Sequence, residues 1–529
     1  MIEAEVHSPR RLGDRADVAV CAAIVLVMVV AALLRQDFNG DGLRHLPLVF
    51  RTQPILDTAR SLLFPAALFA AIHPLVAAGW VHTVEQAIQP FLWLIVLSGV
   101  AYLLALRQWL KADGHRPAVR AGALALAGMS SPFLFQYTNV TEPQIPAALV
   151  ISALALARTY ARRPDRAAPA LVIAAVLIVV AALFYQALIA AVGLLPLVVA
   201  RDARVTTRTL AAVVLTIALA PIVQVGVRVA SGVSMGTSVA NALLGEENPL
   251  IRSRMAIASA MKYAAAVVAG PPQAIVGVDQ FHGIPRLVAD LRGGDSMAVA
   301  NLLRLGVGEL LFVVMAVAVI RHRDWRLAVA MLAIMALPAI RNQQYAYPKF
   351  YVLWPALIAI AATRFHPRTI CAAAVAVTVL NVSLLAQDLG RGRTLSAQVR
   401  TAYAVADSRT CWLTSGWDPP LWYLWPGTAT PFYGMFSRGP DPALQAREMT
   451  AALQRCFCDA SGVWTDTDVE SSVLVDSIAR QFEYRDGQLS STVWRPGDGS
   501  TEAGAALTIH HYAPAAAAAI CAQVRSWGR

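Results

Sequence analysis

The chain has 529 residues, is 57% hydrophobic and only 15% charged, with a mean hydropathy of +0.54. A soluble domain is about a quarter charged, so this composition excludes a soluble enzyme and specifies a polytopic membrane protein. The formal charge of +11 is nearly all arginine, with Lys111, Lys262 and Lys349 the only lysines; no basic run is interleaved with aromatics, so the charge reads as membrane sidedness rather than nucleic-acid binding.

In chain order, three arginines (Arg10, Arg11, Arg15) precede the first apolar run, predicted to span over Ala16–Leu34. No small-residue cleavage site follows it and further spans do, so a retained signal-anchor helix is expected. Ten more spans follow: Ile88–Leu106, Ala118–Phe135, Gln144–Ala157, Pro169–Leu183, Tyr185–Val199, Leu210–Ala230, Leu302–Ile320, Leu327–Ile340, Tyr351–Ala362 and Ile370–Leu385. Every second loop is basic: RQWLKADGHRPAVR, RTYARRPDR, RDARVTTR, RHRDWR and TRFHPR. The positive-inside rule then puts the N-terminus in the cytoplasm and the C-terminal segment outside. The run SLLFPAALFAAIHPLVAAGW is nearly long enough to cross, but counting it would break this alternation. It is read as an interfacial or re-entrant helix broken at Pro65 and Pro74.

The expected fold is an all-α membrane bundle of about eleven transmembrane helices over residues 1–385, with outer loops at 35–87 and 231–301. Residues 386–529 mix strand-like runs (TCWLTS, ALTIHHY) with a helical one (PALQAREMTAALQRC) and are expected to form a small extracytoplasmic α+β domain. Cys21 and Cys371 lie in spans, whereas Cys411, Cys456, Cys458 and Cys521 all lie in this tail. Four cysteines in an oxidising compartment point to two disulfides, with Cys411 joined to one of the adjacent pair Cys456 and Cys458, and Cys521 to the other.

Just after the first span comes DFNGDGLRHL. Its spacing resembles a calcium loop, but the twelfth position is Leu48, so a full EF-hand is excluded. Asn-Gly and Asp-Gly also form turns. Topology gathers this stretch (Asp37, Asp41, Arg44, His45) on one side with three others: QYTNVTEPQIP carrying Glu142, FYQ carrying Gln186, and RNQQYAYPKFY carrying Arg341, Tyr345, Tyr347 and Lys349. Each alone reads as a solvated loop. Together, acids in the first two and cations in the fourth suggest one site for an acceptor and an anionic lipid head group.

The layout resembles the GT-C glycosyltransferases, integral membrane enzymes that include protein O-mannosyltransferases, lipid A aminoarabinose transferases and oligosaccharyltransferases. The resemblance covers Arg10 to about Leu385. It puts Asp41 in the position of the catalytic base, with Gly42 where the family often has a second acid and Asp37 as its substitute; Glu142 fits the further acid of the second outer loop. It implies inverting transfer of a sugar from a polyprenyl-phosphate donor to a glycan, lipid or protein, at the outer face of a bacterial inner membrane. That chemistry needs a carboxylate to take the acceptor proton (Asp41) and cations for the phosphate leaving group (Arg341 and Lys349, then Arg44 and Arg286). His45, Tyr345, Tyr347 and Gln186 are candidate sugar or acceptor contacts. The pattern fixes no cofactor with certainty, and Asp37, Asn39 and Asp41 offer hard oxygens to a candidate divalent cation. A secondary transporter and an O-antigen polymerase or ligase are the alternatives. The first would want charged or broken spans at mid-membrane; the first-loop acid and folded tail argue against the second.

Overall fold

The computed structural model describes residues 9–36, 38, 41–54, 62–161, 163, 166–199, 206–230, 235, 273, 275–278, 288, 291–294, 296–342, 351–405, 410–414, 424, 432–434, 442–460, 462–465, 492–494, 509–512 and 514–526. The chain forms two compact units. One comprises Met1–Leu34, Gly40–His82 and Gln86–Gln387; the other comprises Arg35–Asn39, Thr83–Glu85 and Asp388–Arg529.

The first unit is helical. Its elements are α1 (Pro9–Leu34), a 3-10 helix (Asp41–Phe50), α2 (Phe64–Ala77), α3 (Val84–Ala112), α4 (Pro117–Gly128), α5 (Ser131–Leu134), α6 (Gln144–Tyr160), α7 (Ala167–Phe184), a second 3-10 helix (Gln186–Leu194), α8 (Leu195–Val198), α9 (Thr207–Ala230), α10 (Ser296–Arg321), α11 (Trp325–Asn342), α12 (Trp354–Ala362) and α13 (Pro367–Val405), the last running on into the second unit. Among the described residues, six helices are long and apolar enough to cross a membrane: Arg15–Leu34, Val84–Ala112, Ala167–Phe184, Thr207–Ala230, Ser296–Arg321 and Pro367–Thr401.

Of the other predicted spans, Gln144–Ala157 and Leu327–Ile340 lie within the single helices α6 and α11, and three differ from single long helices for local reasons. The expected span Ala118–Phe135 is split into α4 and α5. Ser130 leaves helical geometry, its hydroxyl donates back to the Ala127 carbonyl at 2.5 Å, and a proline follows at the start of α5. The segment Tyr185–Val199 begins as a 3-10 helix and becomes α-helical only at Leu195, just ahead of Pro196. The helix α12 has nine residues, all buried; a helix apolar on every side packs inside the bundle. The run around Pro65 forms α2, in which Pro65 starts the helix instead of breaking it and Pro74 sits within its last turn. Its 14 residues reach about 21 Å, short of the roughly 30 Å of hydrocarbon.

Ion pairs tie the helix ends that carry the arginines of the basic loops. Asp17 is fully buried; one carboxylate oxygen accepts from Arg120 Nε at 2.8 Å and the other lies 3.1 Å from Arg107 Nε, so α1, α3 and α4 share one acid. Asp113 receives Arg158 at 2.5 Å, and Asp324 pairs with Arg364. Within the bundle, α13 contributes Asn381, also fully buried. Its Nδ2 donates to the carbonyls of Met129 at 2.7 Å and Ile275 at 2.9 Å, and its Oδ1 accepts from the Gly277 N–H at 2.8 Å. One amide thereby closes the free end of α4 and fixes a stretch of the 231–301 loop.

The second unit contains a five-stranded sheet in the order β2-β1-β3-β5-β4, made of Thr410–Thr414, Phe432–Gly434, Gly462–Thr465, Thr492–Trp494 and Ile509–Tyr512 for β1 to β5. β1 pairs in parallel with β2 and β3, and β5 runs antiparallel to β3 and β4. The period-2 alternation of strands sorts the side chains. Cys411, Leu413, Val463 and Tyr512 face a core with Leu453, Cys456 and Phe457 of α14 (Pro442–Asp459) and Ile520 and Val524 of α15 (Pro514–Ser526). Between them, Trp412 stacks on Trp464 with ring centroids 5.3 Å apart. Disulfides join Cys411 to Cys456 and Cys458 to Cys521.

Candidate functional site

The polar centre is built by the first 3-10 helix, α2, α3 and the segment between α5 and α6. The 3-10 helix buries Leu43, His45, Leu46 and Val49, and its Val49 carbonyl accepts from His73 of α2 at 2.9 Å. α2 is tied in turn to the end of α7, where Leu63 N–H donates to the Leu183 carbonyl at 3.0 Å. Gly42 is seated where a side chain has no room. A Cβ there would lie 2.8 Å from a Phe91 ring carbon and 3.1 Å from the Val140 carbonyl oxygen. The backbone at 42 passes between α3 and the 135–143 segment, which leaves no space there for a longer side chain such as an acid.

That segment is braced by its own hydrogen bonds. Thr138 Oγ1 donates to the Leu134 carbonyl at 2.8 Å, Tyr137 Oη to the Gln144 carbonyl at 3.1 Å, and Gln144 Nε2 to Gln136 Oε1 at 3.1 Å. Tyr137, Thr138, Val140, Glu142 and Gln144 are all 0% exposed. A solvated loop, the reading each cluster supports alone, does not describe this one. Glu142 Oε1 meets His45 Nε2 at 2.8 Å, across 97 residues of chain, and His45 is itself 4% exposed. Phe64 lies beside the imidazole at 5.4 Å and Phe91 beside Phe64 at 5.7 Å, walling the pair with aromatic rings. In apolar surroundings an unpaired carboxylate is costly, so the two groups stabilise each other and fix each other's direction.

The arrangement brings the cluster that follows α1 and the cluster between α5 and α6 together at His45 and Glu142, with the Asp41 backbone four positions upstream of His45 at the start of the same helix. Asp41, Arg44, Gln186 and Arg341 are placed by backbone only, Arg341 in the last turn of α11. Asp37, Asn39, Arg286, Tyr345, Tyr347 and Lys349 lie outside the described residues. No group of three or more His, Cys, Asp or Glu side chains gathers as a metal site among the described residues.

No family model matches the chain and no curated protein matches it in sequence. Among solved structures, it is similar to ArnT from Cupriavidus metallidurans bound to undecaprenyl phosphate, with a TM-score of 0.49 and 12% identity over 93% of this chain and 97% of that one. It is also similar to the Archaeoglobus fulgidus oligosaccharyltransferase tethered with an acceptor peptide, with a TM-score of 0.42 and 11% identity over 89% of this chain and 73% of that one. At such identity and TM-score, the functional reading rests on the residues of this chain itself.

Sequence reasoning gave no role to two buried cations, Arg304, which it passed over, and Arg228, which it noted only as a charge near a span's end. Arg304 in α10 is 4% exposed and donates from Nη2 to Gln387 Oε1 at 3.1 Å and to Ser383 Oγ at 3.5 Å, both on α13. Arg228, in the last turn of α9, is 3% exposed, one turn beyond Gln224, whose Nε2 donates to the Ala182 carbonyl at 3.2 Å. The signal was present in the hydropathy pattern: each arginine interrupts an otherwise apolar run next to the 231–301 loop.

Proposed function

We propose that this chain is a membrane glycosyltransferase of the GT-C type, which transfers a sugar from a polyprenyl-phosphate donor to an acceptor on the outer face of a bacterial inner membrane. The observation that carries this reading is the buried His45–Glu142 pair, which joins the acid-bearing start of the first outer loop to the second outer turn. A bundle that only had to span would fill those positions with apolar side chains and avoid desolvating an acid and an imidazole. In the reaction, the Asp41 carboxylate takes the acceptor proton as the acceptor oxygen bonds to the sugar's anomeric carbon. The bond from that carbon to the phosphate oxygen breaks, and polyprenyl phosphate leaves with inversion at the sugar. Arg341 and Lys349, supported by Arg44 and Arg286, neutralise the leaving phosphate. Asp37, Asn39 and Asp41 are the oxygens that would hold a divalent cation if one takes part.

The reading includes eleven crossings, a cytoplasmic N-terminus and an extracytoplasmic tail. The ion pairs of Asp17, Asp113 and Asp324 support it: they engage arginines at helix ends that the positive-inside rule assigns to one side.

The test is transfer from radiolabelled polyprenyl-phosphate sugars by the purified full chain, wild type against Asp41→Asn. Removing the base is expected to cost on the order of 100-fold or more in rate. Unchanged transfer in the variant would remove Asp41 from the mechanism, and absence of transfer by the wild type from every polyprenyl-phosphate sugar would remove the reaction class.

A further inference from the structure

The helix α13 is 39 residues long, about 58 Å, nearly twice the thickness of the hydrocarbon. Its C-terminal turns bury Leu395, Ser396 and Val399 along one stripe. From the same stretch come three polar contacts to both stems of the first outer loop. Asp388 Oδ2 accepts from Arg35 Nη2 at 2.9 Å, one residue past the end of α1. Ser396 Oγ donates to the Gln36 carbonyl at 2.6 Å. Arg400 pairs with Glu85, the second residue of α3. Asp388, Ser396 and Arg400 are spaced by eight and four residues, so they repeat along one face of the helix. All of these residues belong to the second compact unit, as do the stems 35–39 and 83–85, although the loop between the stems belongs to the first.

We infer that the extension of α13 is a clasp: Asp388, Ser396 and Arg400 are positioning residues that hold the entrance and exit of the loop carrying Asp41 and His45. Gln36 stands five residues before Asp41, so fixing its carbonyl restricts where the 3-10 helix begins. The first stem is the stronger hold. The Arg35 side chain there is 4% exposed against 35% for Asp388, whereas Glu85 and Arg400 are 44% and 56% exposed and their pair is screened by solvent. The clasp's effect on catalysis rests on the glycosyltransferase reading; its effect on the loop does not.

Hydrogen exchange on the full chain in nanodiscs separates the two. The double variant Asp388→Asn/Ser396→Ala is expected to make the amides of 41–50 exchange on the order of tenfold faster, while peptides from α4, α6 and β3 keep their rates. Arg400→Glu, which sets two acids opposite each other at the second stem, is expected to do the same more weakly, and adding Glu85→Arg is expected to restore protection. In the transfer assay kcat is expected to fall about 10- to 100-fold with KM unchanged. Unchanged exchange at 41–50, or an equal loosening of every element, would overturn the clasp. Faster exchange at 41–50 in a protein that transfers no sugar even as wild type would uphold the clasp and overturn the glycosyltransferase reading.

Discussion

The His45–Glu142 pair can be weighed by a double-mutant cycle. Both residues are almost wholly withdrawn from solvent, and their 2.8 Å contact joins two segments far apart in sequence. Truncating either partner leaves the other desolvated, which costs about 3–5 kcal/mol when a buried pair is broken from one side. The pairwise part is smaller: a hydrogen bond to a charged group contributes about 1.5–3 kcal/mol. The singles His45→Ala and Glu142→Ala should therefore each destabilise strongly, and the double should be less destabilised than their sum by roughly 2 kcal/mol. Glu142→Gln keeps the shape and one acceptor and should fall between wild type and Glu142→Ala. The assay is unfolding of the micelle-embedded protein in graded SDS, followed by tryptophan fluorescence, with transfer rates taken on the same preparations. If the pair organises the catalytic end, both singles should also lose transfer by similar factors. A coupling energy under about 0.5 kcal/mol, the error range of additive sites, would mean that the two groups are neighbours without being partners.

Gly42→Ala should destabilise by about 1–3 kcal/mol through overpacking and lower transfer, because Phe91 can rotate away but the Val140 carbonyl cannot; a melting temperature equal to wild type would show that the passage is wider than its geometry indicates. In the tail, the two disulfides close separations of 45 and 63 residues, and the loop-closure estimate gives about 4 kcal/mol for each. Thiol counting on the denatured protein should find two free cysteines before reduction and six after, and reduction should unfold the sheet while the membrane helices keep their circular dichroism. His115, between α3 and α4, is held below its ordinary pKa of 6.5 by burial, against the opposing pull of Asp113 and with Arg364, Arg120 and Arg158 adding to the depression. Its folded form resists protonation, so its contribution is undiminished above about pH 6.5 and is lost as pH falls below that value, where the unfolded chain takes up the proton first. His115→Gln should flatten stability against pH in the window just below 6.5; an unaltered profile would place the acid sensitivity elsewhere.

What could be read in advance follows from which forces are local. A long apolar run is a local property, and α1, α3, α7, α9, α10 and α13 were visible in hydropathy. The breaks inside the weaker runs were not, because Met129 to Ser131 and Gly193 to Pro196 lie in sequence that stays apolar enough to look continuous. The arginines of the basic loops were visible to the charge rule, which counts cations and passes over acids, so the role of Asp17 as the shared partner of Arg107 and Arg120 was hidden. Spans that look clean of ionisable residues still hold amides: Asn381 makes three hydrogen bonds to two other segments, and nothing in its own helix announces them. The same limit applied at the site. His45 and Glu142 could each be picked as a polar residue at a span's end, but their pairing depends on how α3 and the 135–143 segment stack. Gly42 records that stacking. In the sequence it stood as an absence, the second acid not present; in the fold it is the residue whose lack of a side chain lets the loop after α1 come close enough to the 135–143 segment for His45 to reach Glu142.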